Sequence, residues 1–151
     1  MIFLDIDGVL NSKSYLACAA KSNAGSYKHL NPKKILLLKW IVEQSDADIV
    51  LSSSWKELFF HMTPIEPAAK TLLEVLHNHG MNIRDMTPIM GGDRPQEIKH
   101  WLSMHPEVTS YVILDDHRYK WGELSPHWVQ TSQRSGLTQR TAQTAVSILR
   151  N

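Results

Sequence analysis

Ile2-Phe3-Leu4-Asp5-Ile6-Asp7-Gly8-Val9-Leu10 decides how this chain is read. A short apolar strand runs into two aspartates one residue apart, and Gly8 follows where the chain must turn. Residues two apart on a strand share a face, so both carboxylates are expected to emerge together at its C-terminal end. Two like charges a few Å apart repel by roughly 4 kcal/mol in partly screened surroundings. A proton or a cation between them relieves that repulsion, and Mg²⁺ takes oxygen ligands. An ordinary acidic turn would use the same residue types, since Asp and Gly both favour turns. On this motif alone the two readings stand side by side.

Three segments further along repeat the pattern of an apolar run ending in chemistry. Asp48-Ile-Val-Leu-Ser-Ser-Ser54 is a buried-type strand closing on hydroxyls, and Ser110-Tyr-Val-Ile-Leu-Asp-Asp116 closes on paired carboxylates. Between them Asp93-Arg94-Pro-Gln-Glu-Ile-Lys99 puts a guanidinium at the start of a helix. Ligands of open parallel sheets bind beyond the carboxyl ends of the strands, where the strand order switches. Asp5, Asp7, Ser52, Asp115 and Asp116 are expected to meet there.

The rest of the chain supplies helices between these strands. Residues 33–45 are apolar almost all round, which predicts a well-buried helix with Pro32 near its start. Residues 65–79 carry Ile65, Ala69, Leu72 and Leu76 at helical spacing, with Gly80 to end the helix. Asp93 caps a helix bearing Ile98 and Trp101, Trp128–Thr131 predicts a short strand, and Thr138 caps a last helix with Ala142, Ala145 and Val146 on one face. Alternating strands and helices predict one α/β domain over residues 1–151, Rossmann-like, its mostly parallel sheet covered on both faces.

Composition narrows the function classes. At 151 residues and 42% apolar, the chain can bury a core of its own. The single Cys18 excludes an internal disulfide framework and suits a reducing compartment. No apolar run approaches a membrane span, and Asp5 interrupts the N-terminal one too early for a signal peptide, so a cytoplasmic protein is expected. The net charge of +1 hides an uneven distribution. No acidic residue lies between Asp7 and Glu43, a stretch holding Lys13, Lys21, Lys28, Lys33, Lys34 and Lys39, with Tyr15, Tyr27 and His29 among them. It reads either as a solvated basic face or as an electropositive lip that draws in a phosphorylated substrate. The scattered histidines offer no zinc site.

The ordered set Asp-x-Asp-Gly-Val-Leu, strand-end Ser, basic residue and Asp-Asp resembles the haloacid dehalogenase (HAD) superfamily of phosphotransferases. Phe-Leu-Asp-Ile-Asp-Gly-Val-Leu-Asn, Ile-Val-Leu-Ser-Ser-Ser-Trp-Lys, Tyr-Val-Ile-Leu-Asp-Asp and Val-Gln-Thr followed by Gly-Leu-Thr are more similar still to the HAD domains of the Swiss Army Knife RNA-repair proteins. The resemblance implies a Mg²⁺-dependent phosphatase in which Asp5 attacks phosphorus and becomes an aspartyl-phosphate. Asp7 would then serve as general acid and base, and Ser52 as hydroxyl donor to the phosphate, with Ser53 and Ser54 as alternatives in register. Arg94 would be the third-motif cation, with Lys99 as the fallback. Asp5, Asp7, Asp115 and Asp116 would hold the metal, Asp7 through its backbone carbonyl, Asp115 as the direct carboxylate ligand and Asp116 as a ligand or an outer-shell orienter. Gly8, Ser53, Trp55, Lys56, Lys99 and Arg118 would contact substrate.

Only Asn11–Asn31 and a short irregular Met81–Gly92 could host a cap, so the resemblance implies a minimal one and an open site. A nucleic-acid terminus, an RNA 3′-phosphate in particular, heads the expected substrates; DNA ends, nucleotides, sugar phosphates and phosphoprotein are the others. Trp55-Lys56 and His117–Trp121 offer aromatic and basic contacts for nucleic acid, or else pack beneath their loops. The chain has no Gly-x-x-x-x-Gly-Lys-Ser/Thr loop, so a kinase or ligase partner would be a separate chain. A non-catalytic binding module on the same fold is the competing reading, which the four carboxylates oppose. A bacterial receiver domain places its carboxylates in another order.

Overall fold

β1 (Ile2–Leu4) lies at the middle of a five-stranded sheet, hydrogen-bonded to a parallel neighbour on each side. In this computed structural model, which describes residues 1–21 and 30–151, the sheet order is β5-β2-β1-β6-β7. Its other strands are β2 (Ile49–Leu51), β5 (Ile83–Met86), β6 (Val112–Asp115) and β7 (Trp128–Gln130), all paired in parallel. The chain builds outward from β1 through β2 to β5, then crosses back to β6 and β7. The strand order therefore switches at β1 and β6, the position where open sheets form ligand sites.

The strands are short and apolar because both faces are covered. Ile2, Leu4, Leu51 and Leu114 face a core shared with α2 (Pro32–Ser45), α3 (Pro67–Asn78) and α5 (Gln139–Arg150). Phe3, Val50 and Ile113 point the other way, against Ile98 and Trp101 of α4 (Arg94–Met104) and against Trp121 and Leu124. The Phe3 ring meets Trp101 edge-on at 5.3 Å between centroids. Each fully buried Leu, Ile or Phe of this kind stabilises the fold by about 1.5–3 kcal/mol relative to exposure.

Helix starts follow the capping chemistry. Asn31 accepts from the Lys33 amide ahead of Pro32, and Asp93 accepts from the Gln96 amide at 3.2 Å. Thr138 and Thr141 cap each other reciprocally at the start of α5.

Several expectations are corrected. α2 is not buried all round: Ile35, Leu38 and Ile41 are enclosed, while Leu36 is 56% exposed. The helix leans on the sheet and on α5 along one stripe, which leaves the opposite side in solvent. Ile65 lies before α3 and is exposed too. Met81–Gly92 is not irregular throughout, since it contains β5. That edge strand carries Arg84 and Asp85 mid-strand, and the exposed side of an edge accepts charge. A small antiparallel hairpin, β3 (Phe59–Phe60) with β4 (Thr63–Pro64), follows the second motif. After the first motif comes α1 (Lys13–Lys21). Tyr27, Lys28, His29 and the side chain of Lys21, expected in the basic stretch, lie outside the described residues.

Candidate active site

The backbone ladders run one residue beyond the strands and carry the site with them. The Asp5 amide donates to Leu114 O, the Ser52 amide to Leu4 O, and the Thr87 amide to Leu51 O. Thr87, Ser52, Asp5 and Asp115 thus form a row across the C-terminal edge of the sheet. Strand alternation turns that row toward the α4 side, the side of Phe3, Val50 and Ile113.

Within this row the carboxylates converge. Asp5, Asp115 and Asp116 each offer an oxygen within 4.8 Å of the others. Asp5 is 7% exposed and Asp115 1%. Burial raises the Asp5 carboxyl above its ordinary range, although the neighbouring Arg94 opposes the shift. Burial, followed by the nearby charge of Asp5, raises Asp115 to about 7. This is the electrostatic state of a carboxylate cluster short of positive charge. A hard divalent cation matches its all-oxygen donor set, and Mg²⁺ fits these residues.

Arg94, the first residue of α4, supplies part of the missing charge. Its Nη1 donates to Asp115 Oδ2 at 2.8 Å and lies 3.4 Å from Asp5 Oδ1. The Asp93 cap and Pro95 start the helix where this side chain can enter the row. Asp115 is fixed from its other side by the His117 amide, which donates to Oδ1 at 2.8 Å.

Gly8 makes the turn possible in two ways. Its φ of +75° is a left-handed conformation, and a Cβ there would sit 2.5 Å from the Asp116 carboxyl carbon. The Thr131 hydroxyl donates to Gly8 O at 2.7 Å, and the Gly8 amide donates to Asn11 Oδ1 at 3.0 Å. The turn is pinned by its backbone.

The Asp7 side chain stands apart from the metal-type cluster. Its carboxylate is exposed at the mouth of the cleft, accepting from Asn11 Nδ2 at 2.6 Å and Trp55 Nε1 at 2.9 Å. The strand ends at Leu4, so the chain has already turned at Asp7 and the simple sharing of a face with Asp5 is lost. Of the serines, Ser52 is enclosed in the floor row, its hydroxyl without a hydrogen-bond partner among the described residues. The hydroxyl that opposes the upward shift of the Asp5 carboxyl is that of Ser53, and Ser54 lines the cleft. The structure therefore does not bring Ser52, the expected donor, to the cleft surface.

Of the expected substrate contacts, Lys56 lines the cleft as a buried cation, 6% exposed, with its ammonium ion-paired to Glu97 at 2.6 Å. Lys99 points away from the row toward Glu123, at 3.9 Å, and is absent from the cleft wall. Trp55 packs partly against the core while its indole N–H holds Asp7, and Trp121 is enclosed in the second core. Arg118 is exposed beside Asp116 in a shallow polar cleft that adjoins the main one.

Tyr119, from the aromatic and basic cluster His117–Trp121, lines the cleft, with the Arg94 guanidinium 5.8 Å from its ring centroid. Glu97, Asn11 and Thr131 are the residues that sequence reasoning missed. Asn11 and Thr131 stand in the quoted motif strings, so their positions carried a signal. Glu97 carried none, being an ordinary first-turn helix acid. The finished cleft holds about 270 Å³, bounded by Asp5, Asp7, Arg94, Asp116 and the Ile89–Gly92 side. That volume suits a phosphoryl group and part of what it is attached to.

No curated protein and no solved structure matches the chain. The family model described as the HAD domain in Swiss Army Knife RNA repair proteins matches residues 1–142, which spans the whole row from Asp5 to Asp116 and the Thr131 contact. The chain belongs to that family of HAD domains.

Proposed function

We propose that this protein is a Mg²⁺-dependent phosphomonoesterase that works through an aspartyl-phosphate on Asp5, and that its substrates are nucleic-acid ends, an RNA 3′-phosphate first. Membership of the HAD family supports a phosphatase in general. One observation carries the finer reading: Asp5 belongs to the carboxylate cluster and its Oδ1 lies 3.4 Å from Arg94 Nη1, a nucleophile with positive charge beside it.

Asp5 Oδ attacks phosphorus as the ester P–O bond breaks, and the departing oxygen takes a proton from Asp7. Water then attacks the phosphoryl group, giving a proton back to Asp7 and releasing phosphate with the Asp5 carboxylate restored. Trp55 and Asn11 aim the Asp7 carboxylate for both transfers. The Arg94 guanidinium, planar and always charged, meets the equatorial oxygens, where charge develops. Ser54, on the cleft wall, adds a hydroxyl donor. Asp5, Asp115 and Asp116 would hold Mg²⁺, which supplies Lewis-acid charge to the phosphoryl oxygens when bound.

The substrate class draws on the RNA-repair description of the family and on the chain's own surface. Arg118 is exposed in the shallow cleft next to the row, where a backbone phosphate of a longer substrate could meet it. Phosphate release is to be measured from a short RNA with a 3′-phosphate and from a small phosphate ester, each with Mg²⁺ and with chelator. Faster Mg²⁺-dependent release from the RNA supports end repair. Release from the ester alone keeps the phosphatase and removes the RNA substrate.

A further inference from the structure

Beside Arg94, on the wall of the same cleft, lies a second charge cluster that the chemistry above does not use. Lys56 Nζ donates to Glu97 Oε2 at 2.6 Å, Thr87 Oγ1 at 2.9 Å and Pro88 O at 2.8 Å, which satisfies its three donors. Glu97 Oε1 accepts from the Met90 amide at 2.8 Å, and Oε2 lies 3.8 Å from Arg94 Nε. Lys56 is 6% exposed and Glu97 2%. Each lies on an element separate from the other: Lys56 in the 3₁₀ segment Ser54–Leu58, Glu97 on the first turn of α4.

We propose that Lys56 and Glu97 are positioning residues for Arg94, holding the Nε side of its guanidinium so that Nη1 faces Asp5 and Asp115. The inference rests on the phosphoryl-transfer reading above. An arginine beside two carboxylates has several ways to pair with them, and a phosphate needs only one. Glu97 engages the far edge of the guanidinium, and Lys56 keeps Glu97 in place while tying the 87–90 segment to the same point. That segment runs into the Ile89–Gly92 side of the cleft, so the cation and the wall are set together.

Stability is a poor explanation for such a pair. Burying two charges is costly, and well-packed hydrocarbon in place of a buried ion pair is often no less stable. Orientation is a better one, because a misplacement of about 1 Å at a reacting centre can cost about 100-fold in rate.

The test separates these roles. Lys56→Met and Glu97→Leu each leave a buried charge unpaired and should lower the melting temperature. The double variant Lys56→Met/Glu97→Leu removes both charges and should melt close to wild type. It should nevertheless lose about 10- to 100-fold in kcat on a small phosphate ester, with KM changed less. Its Arg94 Nε–H NMR signal, assigned by its disappearance in Arg94→Lys, should lose the exchange protection seen in wild type.

An unchanged kcat in the folded double variant overturns the proposal, whatever the signal does. If the double variant does not fold, Glu97→Gln keeps the shape and the Met90 bond, and the same two readouts decide. If wild type turns over no phosphate ester, the phosphatase reading fails and the Nε–H signal alone decides the positioning: retained protection in the variant refutes it.

Discussion

On the α2, α3 and α5 side of the sheet, Ile35, Leu38, Leu72 and Leu76 enclose the strands in hydrocarbon, whereas beyond the strand ends on the α4 side the enclosed groups include Asp5, Asp115, Arg94, Lys56 and Glu97. Both regions exclude water, but they do so for different ends. The hydrocarbon side contributes most of the favourable free energy of burial. The charged side works against it, because desolvated carboxylates and cations must find one another in a fixed geometry to be tolerated at all. On the proposed mechanism, a cluster of that kind at the strand-order switch gives up stability for chemistry. Substitutions on the two sides should therefore separate cleanly into effects on turnover and effects on folding.

The largest expected separation is at Asp5. Asp5→Asn should fold as well as wild type or better, since it relieves carboxylate repulsion, while turnover falls about 10³-fold or more; melting curves and phosphate release from one preparation check both. Arg94→Ala comes next, with an expected loss of about 100-fold or more in turnover. Lys99→Ala should change little, because Lys99 reaches only toward Glu123 at the surface. The reverse ranking would show that Arg94 is not the phosphate-binding cation. On the hydrocarbon side, Leu72→Ala should cost about 2–5 kcal/mol in chemical denaturation and leave the kcat of the folded fraction unchanged.

A smaller effect links the regions through pH. Burial and the neighbouring Asp5 charge push the Asp115 carboxyl up to about 7 from an ordinary 3.8. A raised folded value means that folding favours the protonated acid. This group's contribution is therefore fully present below about 4 and is lost as pH rises through about 7. With chelator, the melting temperature should fall across that window. Mg²⁺ at about 100 times its Kd should restore about 2.7 kcal/mol near neutral pH, and less at acid pH, where protons compete for the same oxygens. A Mg²⁺ effect of equal size at pH 4 and pH 7, by thermal melts, would place the ion elsewhere.

What the sequence made legible followed from periodicity and from strand ends. Ile2–Leu4, Ile49–Leu51 and Val112–Asp115 are apolar runs that stop at polar residues, so the sheet and its row of carboxylates could be read directly. Arg94 was legible because a helix cap precedes it. β5 was not, since Arg84 and Asp85 break its pattern and an edge strand tolerates them. The exposed side of α2 escaped for the opposite reason: apolar residues all round name no face. Lys56 and Glu97 stand 41 residues apart, and burial of a lysine depends on a partner that only the folded chain brings near. The displaced Asp7 carboxylate depends likewise on Trp55, a contact across 48 residues.

The claim on which the rest depends is that Asp5 becomes phosphorylated. Acyl phosphates are reduced by borohydride, which would convert an aspartyl-phosphate at position 5 into homoserine. Wild-type protein quenched with borohydride during turnover, then mapped by peptide mass, should carry homoserine at position 5 only when substrate and Mg²⁺ are both present. Reduction at a different carboxylate, or an unmodified Asp5 together with undiminished turnover in Asp5→Asn, would contradict the account.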